Sequence, residues 1–144
     1  MNKRTIIILV LCAALLAAVA VISLRKDPGI TGLYLSSTPT INNTRDTDRN
    51  STAEFQSEGT DIFLIISIRD LDTEDKIEVI WTISGGGDDT IFQENTVSPK
   101  KPGSGEIIIY LLKRDIAYPE GDYTVEAVLN NSQKVQAGFT VTAR

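Results

Sequence analysis

The side chains best equipped for chemistry are carboxylates. Asp70, Asp72, Glu74 and Asp75 crowd a single short stretch, and oxygen ligands at alternating positions are what a calcium ion takes. The competing reading is a solvated acidic turn, and the stretch lacks both the glycine and the distal bidentate glutamate of an EF-type loop. Ser84-Gly85-Gly86-Gly87 offers backbone N–H groups to an anion, but Asp88 and Asp89 follow and repel one, so a flexible strand connection is the better reading. Glu126 or Glu106 could lie near other carboxylates across the sheet, but a hydrolytic pair must converge in a cleft, for which a small β-domain has little room. Histidine is absent, which removes the usual general base at neutral pH and the commonest transition-metal ligand. Serine therefore lacks a partner base, and no lysine stands in a Ser-x-x-Lys motif. No enzyme activity, metal or cofactor is expected.

Three sequons remain, at Asn42, Asn50 and Asn130, all in polar stretches that read as loops. Tyr34, Phe92, Tyr110 and Tyr118 are aromatics that could stack on a sugar if exposed, or fill the core if not.

The elements that position these residues begin with a membrane segment. Thr5 to Leu24 is a run of twenty uncharged residues, long enough as a helix to cross a hydrocarbon core of about 30 Å. Lys3 and Arg4 precede it and favour a cytoplasmic N-terminus, with Arg25 and Lys26 opposing that bias. Residues 1–26 are therefore expected to be an uncleaved anchor in the cytoplasmic membrane, N-terminus inside and the rest outside. The alternative is a signal peptide cut after Ala18-Val19-Ala20, with the domain secreted. Leu11 before Cys12 argues against a lipid-modification signal, which wants a small residue there.

Cys12 is the only cysteine, so the exported part can form no disulfide. From Asp27 onward ten bases face nineteen acids, a formal charge of about −9. Such a region repels polyphosphates and excludes nucleic acid as a partner.

Residues 27–31, with Asp27-Pro28-Gly29, read as a linker, and residues 32–144 as one all-β domain. Gly32 to Ser36 alternates and is a first strand; residues 37–60 form a long polar loop. Ile62 to Arg69 (IFLIISIR) is apolar on both faces and reads as a central strand. Ile77, Val79, Trp81 and Ile83 share one face of the next strand. Thr90 to Gln93 and Asn95 to Ser98 are weak edge segments. Glu106 to Leu112, Asp122 to Leu129 and Val135 to Thr142 complete about seven strands, with Asn130-Asn131-Ser132-Gln133 as a hairpin reversal. Tyr123, Val125, Ala127 and Leu129 share a face that is expected to meet the Trp81 face across the core.

Phe55 to Asp61 running into IFLIISI, Asp70-Leu71 followed by Ile77-x-Val79-x-Trp81, and Gly121-x-Tyr123-x-Val125 through to Phe139-Thr140-Val141 together resemble the immunoglobulin-like domains of exported bacterial and archaeal proteins. That resemblance covers roughly Gly32 to Thr142. It implies an immunoglobulin-like antiparallel β-sandwich outside the cytoplasm, with Val125 where the antibody cysteine would stand and Tyr123 as a tyrosine corner. Trp81 would then pack on aliphatic residues such as Ile66 and Val125. With the anchor, the acidic surface and the missing catalytic groups, the expectation is a membrane-tethered module that binds a protein in the cell envelope. A domain binding glycans or small solutes is the alternative, and a structural spacer the third.

Overall fold

A computed structural model describes residues 27–39, 54–85 and 87–144. Residues 5–24 lie outside them, as do Asn42 and Asn50. No helix among the described residues is long and apolar enough to cross a membrane.

The described chain is all β. Eight strands run in order: β1 (Gly29–Ser36), β2 (Glu54–Gln56), β3 (Phe63–Leu71), β4 (Ile77–Gly85), β5 (Asp88–Val97), β6 (Gly103–Tyr110), β7 (Gly121–Leu129) and β8 (Gln133–Thr142). They form a sandwich of a three-stranded sheet, β1-β3-β6, and a five-stranded sheet, β2-β8-β7-β4-β5. All pairs are antiparallel except β2 with β8.

Several boundaries differ from the sequence reading. β1 starts at Gly29, inside the expected linker, because the side chain of Gln133 pairs with the backbone of Ile30: its Oε1 accepts from N–H at 2.8 Å and its Nε2 donates to C=O at 2.9 Å. The expected polar loop 37–60 contains β2, where Phe55 is buried, pairs with Val141 and meets Phe139 edge-on at 5.6 Å. One buried aromatic thus anchors a segment whose neighbours are polar.

The two weak segments after the glycines are one strand, β5. Its alternation is broken by an extra residue, Phe92, between the pairs Trp81↔Gln93 and Thr82↔Ile91. Such a bulge turns successive side chains to new directions: Ile91 is exposed, Phe92 enters the core, and Gln93 faces the open side of the sandwich.

The core holds the inward residues of both sheets, among them Leu64, Ile66, Trp81, Val125 and Phe139. The Trp81 and Tyr123 faces do not meet across it. β4 and β7 are neighbours in one sheet, with Trp81 beside Val125 and Ile83 beside Tyr123, so the two faces form one continuous inner surface. It lies against the inner residues of β1, β3 and β6.

Candidate functional site: the outer face of the three-stranded sheet

Because side chains alternate along a strand, β1, β3 and β6 each send one set inward and one outward. The outward set aligns across the sheet. Tyr34, Ile65 and Ile108 form one row, and Ser36, Phe63 and Tyr110 the next. Neighbouring strands lie about 4.8 Å apart, so these side chains touch across the face. Ile65 is only 8% exposed, although it stands outside the inter-sheet core. Ile108 and Tyr110, at 37% and 58% exposure, remain open, as does Leu112 beyond the strand end.

Gly32 helps to flatten this face. A Cβ there would come within 2.6 Å of the Tyr34 ring, so the ring lies along the strand over bare backbone. The solvent face of an antiparallel sheet is ordinarily polar. Here five of the six side chains in the two rows are aromatic or aliphatic.

The edge of this sheet is partly closed. The N–H of Leu111 donates to the Ile62 carbonyl, so the odd-numbered residues of β6 bond to the sheet and the even-numbered ones turn outward. At the far end, Gln93 Nε2 donates to the Tyr110 carbonyl at 3.2 Å, and its Oε1 accepts from Leu112 N–H at 2.7 Å. The β5 bulge aims that amide, which mimics a strand as Gln133 does on the opposite side. Among the described residues β6 is the last strand of its sheet, hydrogen-bonded to β3 on one side.

Of the four aromatics singled out for sugar stacking, Phe92 and Tyr118 are core residues. Arg114 covers Phe92, its guanidinium 4.4 Å from the ring centre and donating to the Phe92 carbonyl. Tyr118 Oη donates to the Leu111 carbonyl at 2.9 Å and accepts from Ile62 N–H, and burial pushes its pKa up. Tyr34 and Tyr110 lie on the outer face just described. Phe63 and Ile65, which complete it, were missed as site residues. Their signal was present: IFLIISIR and EIIIYLL are apolar at both odd and even positions, more than one buried face requires.

Trp81 is fully buried and edge-on to Phe139 at 6.1 Å. Its Nε1–H has no acceptor among the described residues. Tyr123 is buried at the start of β7, stacks on Phe139 at 5.0 Å, and donates its hydroxyl to the Pro119 carbonyl at 2.8 Å. Loss of water raises its pKa to about 12.

Three of the four carboxylates proposed for calcium are engaged locally. Asp70, at φ +51°, is the extra residue of a bulge in β3, and its carboxylate accepts from Ser104 Oγ at 3.3 Å. Asp72 Oδ1 accepts from Thr73 N–H; Asp75 accepts from Asp72 N–H and the Asn130 amide, which together hold its pKa below the ordinary value. Glu74 is exposed on the same turn. Among the described residues no group of three or more His, Cys, Asp or Glu is placed to hold a metal. The bulge and the turn separate what the sequence puts side by side.

Asn130 and Asn131 both have positive φ, 48° and 56°, and Ser132 N–H donates to the Leu129 carbonyl, closing the short β7–β8 hairpin reversal. The Asn130 amide that a glycan would occupy already donates to Asp75. β4 and β5 stay paired out to Gly85↔Asp88, with Ser84 Oγ donating to Asp89. Glu106 and Glu126 fall in different sheets.

No family model matches the chain, and no curated protein matches it. Among solved structures, it is similar to a β-glucosidase from Listeria innocua in complex with gluconolactone, at 10% identity and a TM-score of 0.44. The match covers 83% of this chain and 17% of the glucosidase, so the chain spans less than a fifth of that protein's length.

Proposed function

We propose that this chain is an immunoglobulin-like interaction module, held outside the cytoplasmic membrane by residues 5–24, that binds a protein partner in the cell envelope and catalyses no reaction. The carrying observation is the apolar outer face of the three-stranded sheet, with Tyr34, Phe63, Ile65, Ile108 and Tyr110 in two adjoining rows. The immunoglobulin-like assignment is supported by the strand order: β1-β3-β6 and β8-β7-β4 correspond to strands A-B-E and G-F-C of that fold. The Tyr123 hydroxyl on the Pro119 carbonyl, two residues before Val125, supports it as a tyrosine corner.

The test is affinity capture of the full chain from its own membrane, beside a variant carrying Ile108→Thr and Tyr110→Ser. A partner recovered by the first and lost by the second is the expected result. The same proteins in both would sink the outer face as the binding surface, and no partner in either would favour a spacer. Three aromatics on one face also favour a second reading, glycan binding, which a glycan array sensitive to Tyr110→Ser would promote. For topology, protease added to intact cells should reach the domain, and the mature chain should retain the peptide containing Cys12. A mature N-terminus at Val21 would instead mean a cleaved signal.

A further inference from the structure

We infer that the end of the sandwich carrying residues 69–76, 98–102 and 130–132 rests on the phospholipid headgroups beside its own anchor, with the strands standing away from the bilayer; this rests on residues 5–24 spanning the membrane and specifies which surface of the module faces lipid. The strand register gathers these segments. Gly29 pairs with Arg69, Leu71 with Gly103, Ile77 with both Val97 and Leu129, and Leu129 with Gln133. The start of β1 and the connections β3–β4, β5–β6 and β7–β8 therefore share one end. Gly85↔Asp88, Gly121↔Val141 and the row of Ser36, Phe63 and Tyr110 mark the other. Ser36 and Glu54, which bound the connection between β1 and β2, stand at that other end too.

The tether to the first end is short and clamped. Gly29 and Ile30 are buried, and the Gln133 amide holds Ile30 through both its groups, so the rigid sandwich begins with the first residues of β1. Ahead of them, Arg69 donates from Nε and Nη2 to the Asp27 carbonyl at 3.4 and 3.3 Å. Only Arg25 and Lys26 separate Asp27 from Leu24, the last residue of the apolar run. An extended chain advances at most about 3.6 Å per residue, so Asp27 stands within about 11 Å of the hydrocarbon boundary. The headgroup layer takes up about 5–7 Å of that distance. The remaining gap, about 4–6 Å, is narrower than a single helix of about 10 Å and within reach of a lysine side chain.

Charge is distributed to suit that seat. Asp27 and the three segments hold five acids (Asp27, Asp70, Asp72, Glu74 and Asp75) and four bases (Arg69, Lys76, Lys100 and Lys101), a net −1. The rest of residues 27–144 holds fourteen acids and six bases, a net −8. Three of the five carboxylates are occupied within the end itself: Asp70 by Ser104, Asp72 by Thr73, and Asp75 by Asp72 N–H and Asn130. Lys100 and Lys101 are exposed between Pro99 and Pro102, whose fixed φ limits the freedom of that connection. Their ammonium groups are drawn to lipid phosphate, while the rest of the domain is repelled by an anionic surface, so the sandwich stands on this end instead of lying on a face. β3, β4 and β7 have nine residues each, which carries the opposite end roughly 30 Å above the headgroups.

The test is depth-dependent fluorescence quenching. The full chain, with Cys12→Ser so that a single thiol can be placed at will, is reconstituted in vesicles of two parts phosphatidylcholine to one part phosphatidylglycerol, with nitroxide-bearing headgroups as quencher. A fluorophore is attached through Thr73→Cys or Ser98→Cys at the proposed seat, and through Asp88→Cys or Glu120→Cys at the other end; all four positions are exposed. Quenching at the seat should exceed quenching at the far pair about five-fold. A ten-residue glycine–serine linker inserted between Lys26 and Asp27 should cut quenching at the seat about two-fold, because the tether no longer enforces it. Lys100→Glu with Lys101→Glu in the lengthened chain should cut it about two-fold further.

Equal quenching at all four positions would mean that the domain lies on its side, and stronger quenching at the far pair that it is inverted; either result overturns the inference. Quenching at none, in protein that stays with the vesicles through an alkaline carbonate wash, would discard the seat and leave the anchor standing. Quenching at the seat that is indifferent to the lysine pair would overturn the contact with lipid phosphate. Protein lost from the vesicles in that wash would defeat the membrane reading itself, and this inference with it.

Discussion

The two outer faces of the sandwich are built from the same kind of strand and treat water oppositely. On the five-stranded sheet, Lys134 pairs with Glu126 at 3.0 Å, Gln136 donates to the same carboxylate, and Thr140 donates to Asp122 at 2.8 Å. Even Thr142 at the β2 side donates to Glu54. Ile80 and Val128, both half-buried, and the exposed Ile91 interrupt this face singly among polar neighbours. On the three-stranded sheet five of the six side chains in the Tyr34 and Phe63 rows are aromatic or aliphatic, and polar residues begin only in the next row, with Ser67 and Glu106. The difference teaches that solvent exposure alone did not select these residues. A face that only had to stay wet would look like the five-stranded one.

The comparison can be broken most severely through the core beneath both faces. Trp81→Ala should cost about 3–5 kcal/mol, a large share of the roughly 5–15 kcal/mol a small domain has. Urea denaturation would read the loss, and a water-exposed tryptophan emission in the native protein would contradict the burial on which both faces depend. Next in size is Tyr123→Phe, which removes the hydroxyl bond to Pro119 and should cost about 0.5–1.5 kcal/mol.

Tyr123 also carries a pH signature. Its folded pKa, about 12, lies above the ordinary value of 10.0, so the folded state holds this proton longer than the unfolded state does. The stability this contributes is complete below pH about 10 and is lost as pH rises through about 12. Phenolate absorbance should therefore show a tyrosine that titrates late or only on unfolding, and Tyr123→Phe should flatten the alkaline loss of stability.

A smaller effect sharpens the contrast between faces directly. Ile108→Thr with Tyr110→Ser should change stability by no more than about 0.5 kcal/mol for each site, because both side chains are exposed, while reducing binding of an apolar dye such as ANS. Substitution of Ile80 and Val128 by threonine on the other sheet should leave dye binding unchanged. If both pairs behaved alike, the two faces would not differ in the way their composition indicates.

The smallest effect belongs to the polar face. Hydrogen bonds from Lys134 and then Gln136 hold the Glu126 pKa below its usual value. A depressed carboxylate stabilises the fold above its unfolded pKa, and that contribution fades as pH falls through the folded value. Lys134→Met should thus cost at most about 1 kcal/mol near neutral pH, less in high salt and less still in acid.

Local features were legible without the fold. Alternation in IEVIWTI and DYTVEAVL placed Trp81 and Tyr123 inside, because a strand with one wet face must bury the other set of side chains. Two consecutive asparagines announced the β7–β8 turn, since that residue tolerates positive φ. β2 was hidden by its polar flanks, and β5 by the bulge at Phe92, which breaks the period that identifies a strand.

By itself, then, the sequence determined an all-β chain with two aromatic core residues, since the periods that encode strands, turns and burial span only a few residues. Only the tertiary structure decided which strands are neighbours, and with that which side chains share a face. It set β4 beside β7 where an opposing arrangement was expected, parted the clustered carboxylates, and aligned Tyr34, Ile65 and Ile108 from strands far apart in the chain. The Gln133 amide reaches Ile30 across 103 positions of sequence. Pairing and register are long-range and cooperative, decided by how all the inner faces close together, and no short window of residues contains them.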